Sequence, residues 1–433
     1  MPISPARIAA FEILLRVDRT DAYASELLHA PQHESLSPKD HGLATEIVMG
    51  TLRWRLALDR QIAQHCSQRL EKLDAEVLTA LRMAAYQLQF LDRVPDRAAV
   101  HESVELLKRA KKRSATGLVN AVLRKLAAEK FSREKLSELD ANPEWLVTRW
   151  ANEFGAYASQ KICSYNQTIP EASVRIYDLS AESELDNEGL KTSPGRILTS
   201  ARRTNCGDIT HRTVVRDGRV AIQDEGSQLI AMLVGKGERI LDCCAAPGGK
   251  TRLIAHQNPN ASVVALELYE HRAQLLRKRV TEKNVQVVTA DATKFNTDHL
   301  FDRVLVDAPC SGTGTLAHNP EIKWRLRPED LADLHARQLA ILQSAMRLTA
   351  PGGRLAYATC SLEPEENARV VSEALSGNSS FHLLDCRTAL ESLRTNGDLA
   401  WDDLDSMLNG PYLRTVPGTH PCDGFFAAIL ERT

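Results

Sequence analysis

From about Gly237 to its C-terminus, the chain alternates short apolar runs with longer helical stretches, and this alternation constrains the fold more than any other feature. The apolar runs are RILDCCAA, SVVALEL, VQVVTADA, FDRVLVDAP and GRLAYATCS. Stretches such as YEHRAQLLRKRVTEK separate most of them. Strands that are apolar on both faces and connected through helices form a parallel sheet with helices on both sides. The alternation therefore predicts a doubly wound α/β domain over residues 236–433.

Two other patterns precede this domain. Up to about residue 140 the sequence indicates helices only; between Leu73 and Leu91, for example, apolar residues recur every three or four positions. From about 141 to 235, short strand-like runs such as SVRIYDL and GRILTS mix with helical and acidic stretches. A chain of 433 residues is long enough for several domains. We therefore predict an all-α bundle over 1–140 and a small α+β linking domain over 141–235, ahead of the doubly wound domain.

The residues that follow the predicted strands are the candidate site residues, because ligands of doubly wound sheets bind beyond the carboxyl ends of the strands. The first strand ends in CCAAPGGKT, where Gly248 and Gly249 permit a tight turn into a helix N-terminus. Free N–H groups at such a terminus favour a carboxylate or a phosphate. The turn matches neither GxGxxG nor the P-loop pattern, which disfavours a dinucleotide or a P-loop nucleotide.

The next three strands end in acidic residues, Glu267, Asp291 and Asp307. In doubly wound folds an acid at the position of Glu267 receives the ribose hydroxyls, and Asp291 could accept from an adenine amino group. One such acid alone is more readily explained as a helix cap or a surface residue. Three in succession favour a site for an adenosine that carries an amino acid, which is S-adenosylmethionine. The predicted cofactor-binding residues are Cys244, Ala245, Ala246, Pro247, Gly248, Gly249, Lys250, Glu267, Asp291 and Asp307.

Two thiols follow adjacent predicted strands at the same edge, Cys310 in DAPCSGTG and Cys360 in YATCSLEPEEN. A lone cysteine at such a position is more often a small core residue. A pair of them, one close to Asp307 and the other just ahead of a helix N-terminus that lowers a thiol pKa, favours a chemical role. The nine cysteines include no CxxC pair, which argues against zinc and against a disulfide framework. No metal is predicted, and we expect a reducing, cytoplasmic location.

Residues 101–130 carry eight Lys or Arg against three Glu, in a chain whose formal net charge is −2. A charge run alone is usually a solvated helix face. Here five basic residues fall within six positions and are followed by a helix start that contains a glycine and an asparagine. This combination favours contact with phosphates.

The motifs CAAPGGKT, DAPCSGTG and ATCSLEPEEN together resemble those of the RNA 5-methylcytosine methyltransferases of the Nol1/Nop2/Sun group. The helical front with VNAVLR resembles a NusB-like RNA-binding domain. In this order, and over nearly the whole chain, the combination resembles the bacterial members that methylate 16S ribosomal RNA. The chain departs from the family pattern in two places: Glu267 stands where Asp is commoner, and Ala317 and His318 stand where basic residues are expected.

The resemblance implies a Rossmann-like class I S-adenosylmethionine-dependent methyltransferase domain that acts on C5 of a specific cytosine in 16S ribosomal RNA. Thiolate attack at C6 makes C5 of cytosine nucleophilic enough to accept a methyl group. By motif match, Cys360 is the nucleophile, Cys310 assists its release, Asp307 holds the N3 edge or the cofactor, and Lys250 positions the base. In related DNA enzymes the thiol after proline attacks, so this assignment rests on the family and not on spacing. The RNA-binding residues would be Lys108, Arg109, Lys111, Lys112, Arg113, Asn120 and Arg124.

Two other functions compete with this reading. An amino-group methyltransferase acting on adenine or protein tends to carry an Asn/Asp-Pro-Pro-aromatic turn, where this chain has DAPC. A non-catalytic RNA-binding factor is disfavoured by the intact pair of thiols and the strand-end polar groups. Charges interrupt the apolar stretch at the N-terminus and no run approaches 18 uncharged apolar residues, so neither a signal peptide nor a membrane span is predicted. We expect a monomer whose partner is the small-subunit ribosomal RNA.

Overall fold

The computed structural model describes residues 3–129, 137–178, 180–204, 209–210 and 212–433. Contacts between residues divide the chain into two compact units, Met1–Ile169 with Leu316–Arg325, and Pro170–Thr315 with Leu326–Thr433. We call them the helical unit and the sheet unit. Lys130 of the basic run, Leu179 of the predicted strand SVRIYDL, and Cys206 lie outside the described residues. The boundaries of the three domains expected from the sequence stay a prediction.

The described residues of the helical unit form α-helices and short 3-10 turns. The helices up to residue 169 are α1 (Pro5–Arg19), α2 (Ala24–Leu28), α3 (Pro38–Arg53), α4 (Arg55–His65), α5 (Ala75–Phe90), α6 (Asp96–Arg109), α7 (Thr116–Ala128), α8 (Glu144–Phe154) and α9 (Ala156–Gln167). Helix α5 confirms the helix predicted between residues 73 and 91, and its Val77, Leu81 and Ala84 are buried in the core of the unit. Within the described ranges of the whole chain, we find no helix with the length and apolar character needed to cross a membrane.

The sheet unit contains a small and a large sheet. Its strands are β1 (Ala172–Ile176), β2 (Thr192–Pro194), β3 (Ala201–Thr204), β4 (Val220–Ile222), β5 (Arg239–Asp242), β6 (Ser262–Glu267), β7 (Val285–Thr289), β8 (Phe301–Asp307), β9 (Thr349–Thr359), β10 (Phe381–Leu384), β11 (Leu408–Asn409), β12 (Tyr412–Arg414) and β13 (Phe426–Arg432). The later helices of the chain are α10 (Ser180–Asn187), α11 (Thr213–Arg216), α12 (Glu225–Leu233), α13 (Gly249–Gln257), α14 (Glu270–Arg279), α15 (Ile322–Arg325), α16 (Asp330–Leu348), α17 (Ala368–Ser376) and α18 (Cys386–Thr395). The small sheet is antiparallel, in the order β2-β3-β1-β4.

The large sheet has the order β11-β12-β13-β9-β8-β5-β6-β7, with β10 beside β13. Strands β9, β8, β5, β6 and β7 pair in parallel, and they are the five apolar runs of the sequence. The parallel doubly wound sheet is therefore confirmed. The antiparallel extension formed by β10–β13 is absent from the sequence prediction, which stopped at the fifth parallel strand.

Helices cover the parallel strands on both faces, as their apolar sequences require. One face packs against α12, α13 and α18 through residues such as Leu229, Leu253 and Leu390. The other packs against α16 and α17 through Leu342 and Val370. Because both faces are buried, only the strand ends and the loops that follow them remain available for a site.

The segment Leu316–Arg325 packs within the helical unit, where its side chains donate to main-chain carbonyls. The ammonium Nζ of Lys323 lies 3.0 Å from the carbonyl of Arg53 and 2.9 Å from that of Ala141. Trp324 Nε1 donates to the carbonyl of Leu52 at 2.7 Å. Arg53 and Leu52 end helix α3, so these donors satisfy carbonyls that lack partners within the helix. Ala317 and His318, where basic residues were expected, belong to this segment, and Ala317 is buried.

Lys323 makes the stability of the chain depend on pH. Burial lowers the pKa of Lys323 to about 7. The pKa of a lysine in an unfolded chain is about 10.4. Between these two pH values the unfolded chain binds more protons than the folded chain, so stability rises as the pH is raised. We therefore expect the thermal midpoint of the native chain to rise from pH 7 to pH 10 relative to that of Lys323→Met. Lys39→Met, which removes an exposed lysine of the same unit, should parallel the native chain, and equal slopes for all three proteins would refute the prediction.

Candidate active site

The site lies at the carboxyl ends of the parallel strands, where the strand order reverses. Strand β5 pairs with β6 on one side and with β8 on the other, so the loops after β5, β6 and β8 leave the sheet next to one another. Strand β9 adjoins β8 in the same direction. Such a reversal opens a crevice in which doubly wound proteins bind their ligands.

A buried carboxylate, that of Asp242 at the end of β5, holds the loop that follows this strand. Asp242 is 1% exposed, and it accepts hydrogen bonds from Thr251 Oγ1 at 2.7 Å and from the amide of Cys244 at 3.3 Å. Burial raises the pKa of Asp242 to about 6. Burial also raises the pKa of the Cys244 thiol well above its usual value, so that this cysteine stays protonated.

Two glycines shape the turn into α13. Gly248 has a φ of 111°, which L side chains rarely adopt, and a Cβ there would lie 2.8 Å from the side chains of Leu276 and Val280. A Cβ on Gly249 would lie 3.3 Å from the amide group of Gln223. The carbonyl oxygen of this buried glutamine has no hydrogen-bond partner among the described residues. The N-terminus of α13 therefore faces an unsatisfied polar group across a space that only glycine leaves open.

The acids after β6 and β7 are held by the loops that carry them. Glu267 is 5% exposed and accepts a hydrogen bond from the amide of Tyr269 at 3.0 Å. Beside it the large apolar side chains of Leu268 and Tyr269 are each 53% exposed. Asp291 accepts from the amide and the hydroxyl of Thr293, and these bonds lower the pKa of Asp291.

The acid after β8 forms an ion pair with the lysine of the glycine loop. Lys250 Nζ lies 2.7 Å from Oδ2 of Asp307 and 5.2 Å from the centre of the Phe425 ring. Burial alone would lower the pKa of Lys250, but Asp307 outweighs it and holds that pKa above its ordinary value. The lysine therefore stays charged in a largely dehydrated place.

The two predicted thiols lie next to each other. Sγ of Cys310 is 3.3 Å from Sγ of Cys360, although 50 residues separate them in the chain. The hydrogen bond to Cys360, burial, and the negative charges of Glu366 and Asp307 raise the pKa of Cys310 well above its usual value. Cys310 is thus the member of the pair that keeps its proton. The eight cysteines in the described part of the chain are all free thiols.

A buried carboxylate that the sequence analysis did not select joins the two cysteine turns. Glu366 is 0% exposed and accepts hydrogen bonds from Ser311, which follows Cys310, and from Ser361, which follows Cys360. The sequence EPEEN carries no signal that distinguishes the buried Glu363 and Glu366 from the half-buried Glu365, because burial depends on the fold around them.

The basic residues of the run at 108–113 differ in how far their charges are already neutralised. Lys108 pairs with Glu105 at 2.6 Å, Arg109 with Glu12 at 3.2 Å and Lys112 with Asp74 at 2.9 Å. Lys111 and Arg113 are exposed and form no ion pair with a described residue, and the same holds for Arg124 on α7. Asn120 is half-buried on the same helix. In the described ranges, no group of three or more His, Cys, Asp or Glu is arranged to hold a metal ion.

Two family models match the chain. One, described as 16S rRNA methyltransferase RsmB/F, matches residues 230–431, and one described as the NusB family matches residues 4–128. The probable ribosomal RNA small subunit methyltransferase B of Bacillus subtilis is 33% identical over 404 residues, which are 88% of this chain and 90% of that protein. The ribosomal RNA small subunit methyltransferase B of Vibrio cholerae is 32% identical over 450 residues, 99% and 98% of the two chains.

Solved structures share the fold. The crystal structure of PH0851 superposes with a TM-score of 0.81 at 24% identity and covers the whole of both chains. The crystal structure of NSun6 from Pyrococcus horikoshii with SFG superposes with a TM-score of 0.57 at 19% identity, over 68% of this chain and 99% of that one.

The fold and these matches define an S-adenosylmethionine-dependent methyltransferase. The residues at this edge have the donor and acceptor chemistry that this cofactor requires. They are the turn at Gly248 and Gly249, the N-terminus of α13, the Gln223 oxygen that lacks a partner among the described residues, and the strand-end carboxylates. The chain belongs to the RsmB/F family of 16S rRNA methyltransferases and carries a NusB-family domain at its N-terminal end. The family resemblance noted from the three sequence motifs is thereby confirmed.

Proposed function

We propose that the protein methylates C5 of a specific cytosine in 16S ribosomal RNA through a covalent bond between Cys360 and C6 of the base. The observation that carries this proposal is the pair of thiols 3.3 Å apart at the cofactor edge of the sheet, beside the Lys250–Asp307 ion pair. An amino-group methyltransferase has no use for two thiols at this position. The relatives named as ribosomal RNA small subunit methyltransferases support ribosomal RNA as the substrate.

The cofactor residues in this proposal are those of the loops after β5, β6, β7 and β8. When bound, S-adenosylmethionine supplies an electrophilic methyl group. The loop 244–250 and the N-terminus of α13 would bind its carboxylate, Glu267 its ribose hydroxyls and Asp291 its adenine. Lys250 belongs to this loop and pairs with Asp307 at the end of β8, so the ion pair joins the cofactor loop to the strand that leads into the Cys310 turn.

Cys360 is the nucleophile in this mechanism because its neighbour keeps the proton. The pKa of Cys310 is raised by the hydrogen bond to Cys360, by burial and by nearby carboxylates. Lys250, paired with Asp307, places a positive charge in the same site. Attack on C6 makes C5 nucleophilic, and charge accumulates at the N3 side of the ring.

Asp307 and Lys250 are suited to the edge of the base. Oδ2 of Asp307 is held by Lys250, while its Oδ1 has no hydrogen-bond partner among the described residues. A carboxyl group that is fixed through one oxygen can form a hydrogen bond to the N3 edge of the cytosine through its other oxygen. The ammonium group of Lys250 orients that carboxyl and contributes positive charge where the ring becomes electron-rich.

Release of the enzyme requires that the C5 proton leave to a base, and in this mechanism a solvent water molecule accepts it. The electron pair of that C–H bond restores the double bond between C5 and C6, and the pair of the C6–S bond returns to the sulfur of Cys360. The S–H group of Cys310, at 3.3 Å, can donate a hydrogen bond to the departing thiolate. Cys310 therefore assists elimination, and Cys360 begins and ends the cycle as the nucleophile.

RNA is expected on the helical unit. Lys111 and Arg113 lie at the turn between α6 and α7, and Arg124 follows on α7. Unpaired basic side chains at a surface release counterions from an RNA backbone when they bind it. We propose that these residues, with Asn120, contact phosphates, and that the paired Lys108, Arg109 and Lys112 contribute less. The target base would have to be unstacked to reach the thiols, which favours a loop or junction of folded RNA.

Single substitutions of the two thiols should give opposite results. Cys360→Ala cannot form the bond to C6, so it should lose several powers of ten in rate and show no covalent complex with RNA. Cys310→Ala should still attack and methylate, then accumulate a denaturant-resistant protein–RNA band that depends on S-adenosylmethionine. The double variant should lose that band, and Cys66→Ala, a half-buried thiol elsewhere, should behave as the native enzyme. A band with Cys360→Ala and none with Cys310→Ala would exchange the two roles, and no band with either would exclude covalent catalysis.

Removing Glu267 should weaken cofactor binding. Glu267→Ala should lower the affinity for S-adenosylmethionine by about 1.5–3 kcal/mol, the scale of a hydrogen bond to a charged group. Glu267→Gln retains an acceptor for the amide of Tyr269, so it separates the loss of the ribose contact from a disturbed loop. Titration calorimetry measures both, and Glu270→Ala, which removes an exposed acid at the start of α14, is the control. Native affinity in Glu267→Ala would remove this residue from the site.

The salt dependence of RNA binding should identify the basic surface. Replacing Lys111 and Arg113 by Ala should weaken binding to 16S ribosomal RNA and reduce the log–log salt slope by about one to two units. Replacing the paired Lys108 and Lys112 should change the slope by less, because acids of the protein already compensate those charges. Turnover at saturating RNA should stay near native in both variants. Equal salt slopes in the two variants would contradict the prediction and would indicate that the run 108–113 is an ordinary solvated helix face.

A further inference from the structure

The buried carboxylate of Glu366 receives four hydrogen bonds from three different elements. Its Oε1 accepts from the amide of Ser311 at 2.8 Å and from Nε2 of Gln338 at 2.8 Å. Its Oε2 accepts from the hydroxyls of Ser311 and Ser361, each at 2.5 Å. A carboxylate has two oxygens with about four acceptor positions, so this one is saturated. A buried negative charge is tolerated only when donors compensate it in this way.

The two cysteine turns depend on Glu366 to different extents. The turn after β9 has other anchors, because the carbonyl of Cys360 accepts from the amide of Gly314 and the carbonyl of Ser361 accepts from Asn367. Gly314 is itself fixed, since a Cβ there would lie 2.1 Å from the carbonyl oxygen of Gly424.

The turn that carries Cys310 is held on both sides of the cysteine by hydrogen bonds that lead to Glu366. Before the cysteine, the carbonyl of Pro309 accepts from Gln338, whose amide nitrogen also donates to Glu366. After the cysteine, both the amide and the hydroxyl of Ser311 donate to Glu366. The position of the Cys310 sulfur relative to that of Cys360 is therefore set by Glu366 together with direct bonds between the two turns, such as that from the amide of Gly314 to the carbonyl of Cys360.

We propose that Glu366 is a positioning residue for the methyl-transfer reaction, which holds the Cys310 turn in register with Cys360 and thereby sets the rate of release. This inference rests on the proposed roles of the two thiols. Release is the step most sensitive to this register, because it needs both sulfurs, whereas attack needs only Cys360. An error of about 1 Å in the placement of a reacting group costs up to about 100-fold in rate.

The substitution Glu366→Ala removes the bridge. With 16S ribosomal RNA transcribed in vitro and methyl-labelled S-adenosylmethionine, kcat should fall by about 10- to 100-fold. KM for both substrates should stay within about twofold of native, because Glu366 accepts no hydrogen bond from any residue proposed to bind the cofactor or the RNA. The fraction of enzyme in a denaturant-resistant RNA complex at steady state should rise, because attack continues while release slows.

The substitution Glu366→Gln should recover most of this loss. Its carbonyl can accept from the amide of Ser311 and from Gln338, and its NH₂ group can donate to the two serine oxygens. Glu373→Gln, an exposed carboxylate on α17 bonded to His335, is the matched control and should be native in every measurement. If Glu366→Ala does not fold, Ser311→Ala, which removes one donor and leaves the acid, should show a smaller fall in kcat with the same rise in trapped RNA.

Four results would overturn the inference: native kcat in Glu366→Ala, a fall in kcat with no rise in trapped RNA, a loss confined to KM, or equal damage from Gln and Ala. Where Glu366→Ala does not fold, a native kcat or unchanged trapping in Ser311→Ala would do the same. Cys310→Ala on the same gel separates this inference from the mechanism on which it rests. A trapped complex with Cys310→Ala and none with Glu366→Ala would reject the role of Glu366 alone. No complex with either would reject covalent catalysis and the positioning role with it.

Discussion

The parallel pairing of β5 with both β6 and β8 is the constraint on which the rest of the site depends. The register places Leu241 of β5 beside Val264 of β6 and Val304 of β8, and Val304 beside Leu355 of β9. The loops after these strands therefore leave the sheet at one level. Because both faces of these strands are buried, burial and ladder hydrogen bonds fix the loop origins, and side-chain bonds such as those of Asp242 and Glu366 then hold the loops.

The charges at this edge are stable only as a set. Lys250 and Asp307 each lose hydration, and either one alone would leave a buried unpaired charge. Asp242, one strand away, has its pKa raised to about 6 by burial and is committed to Thr251 and the loop amide. The neighbouring carboxylates thus have different tasks, one holding the loop and the other holding a lysine close to the thiols. A substitution that neutralises one member changes the protonation preference of the rest.

The parts of this structure that sequence predicts are those set by local pattern. The five apolar runs identify the five parallel strands, and apolar residues that recur every three or four positions identify α5. Both signals follow from burial along one element. The acids and thiols at the strand ends could be selected because the fold rule says where to look. The antiparallel strands β10, β11 and β12 are absent from the sequence prediction because strands of four, two and three residues carry little periodicity. Strand β13 was missed although it has seven residues and is mostly buried. Glu366, the partners of the basic run, and the burial of Lys323 depend on residues distant in sequence, which no local pattern records.

The thiol pair shows how such distant contacts decide chemistry. Two sulfurs 3.3 Å apart cannot both carry negative charge at low cost, so the protein must determine which one keeps its proton. The hydrogen bond to Cys360, burial, and the carboxylates of Glu366 and Asp307 all raise the pKa of Cys310. The ammonium of Lys250, paired with Asp307, adds a positive charge to the same site. Glu366 therefore acts twice, since the carboxylate that ties the two turns together also disfavours charge on the thiol of the turn that it holds. In this arrangement the positions of the sulfurs and the location of the proton have a common physical cause, so neither can be altered without the other.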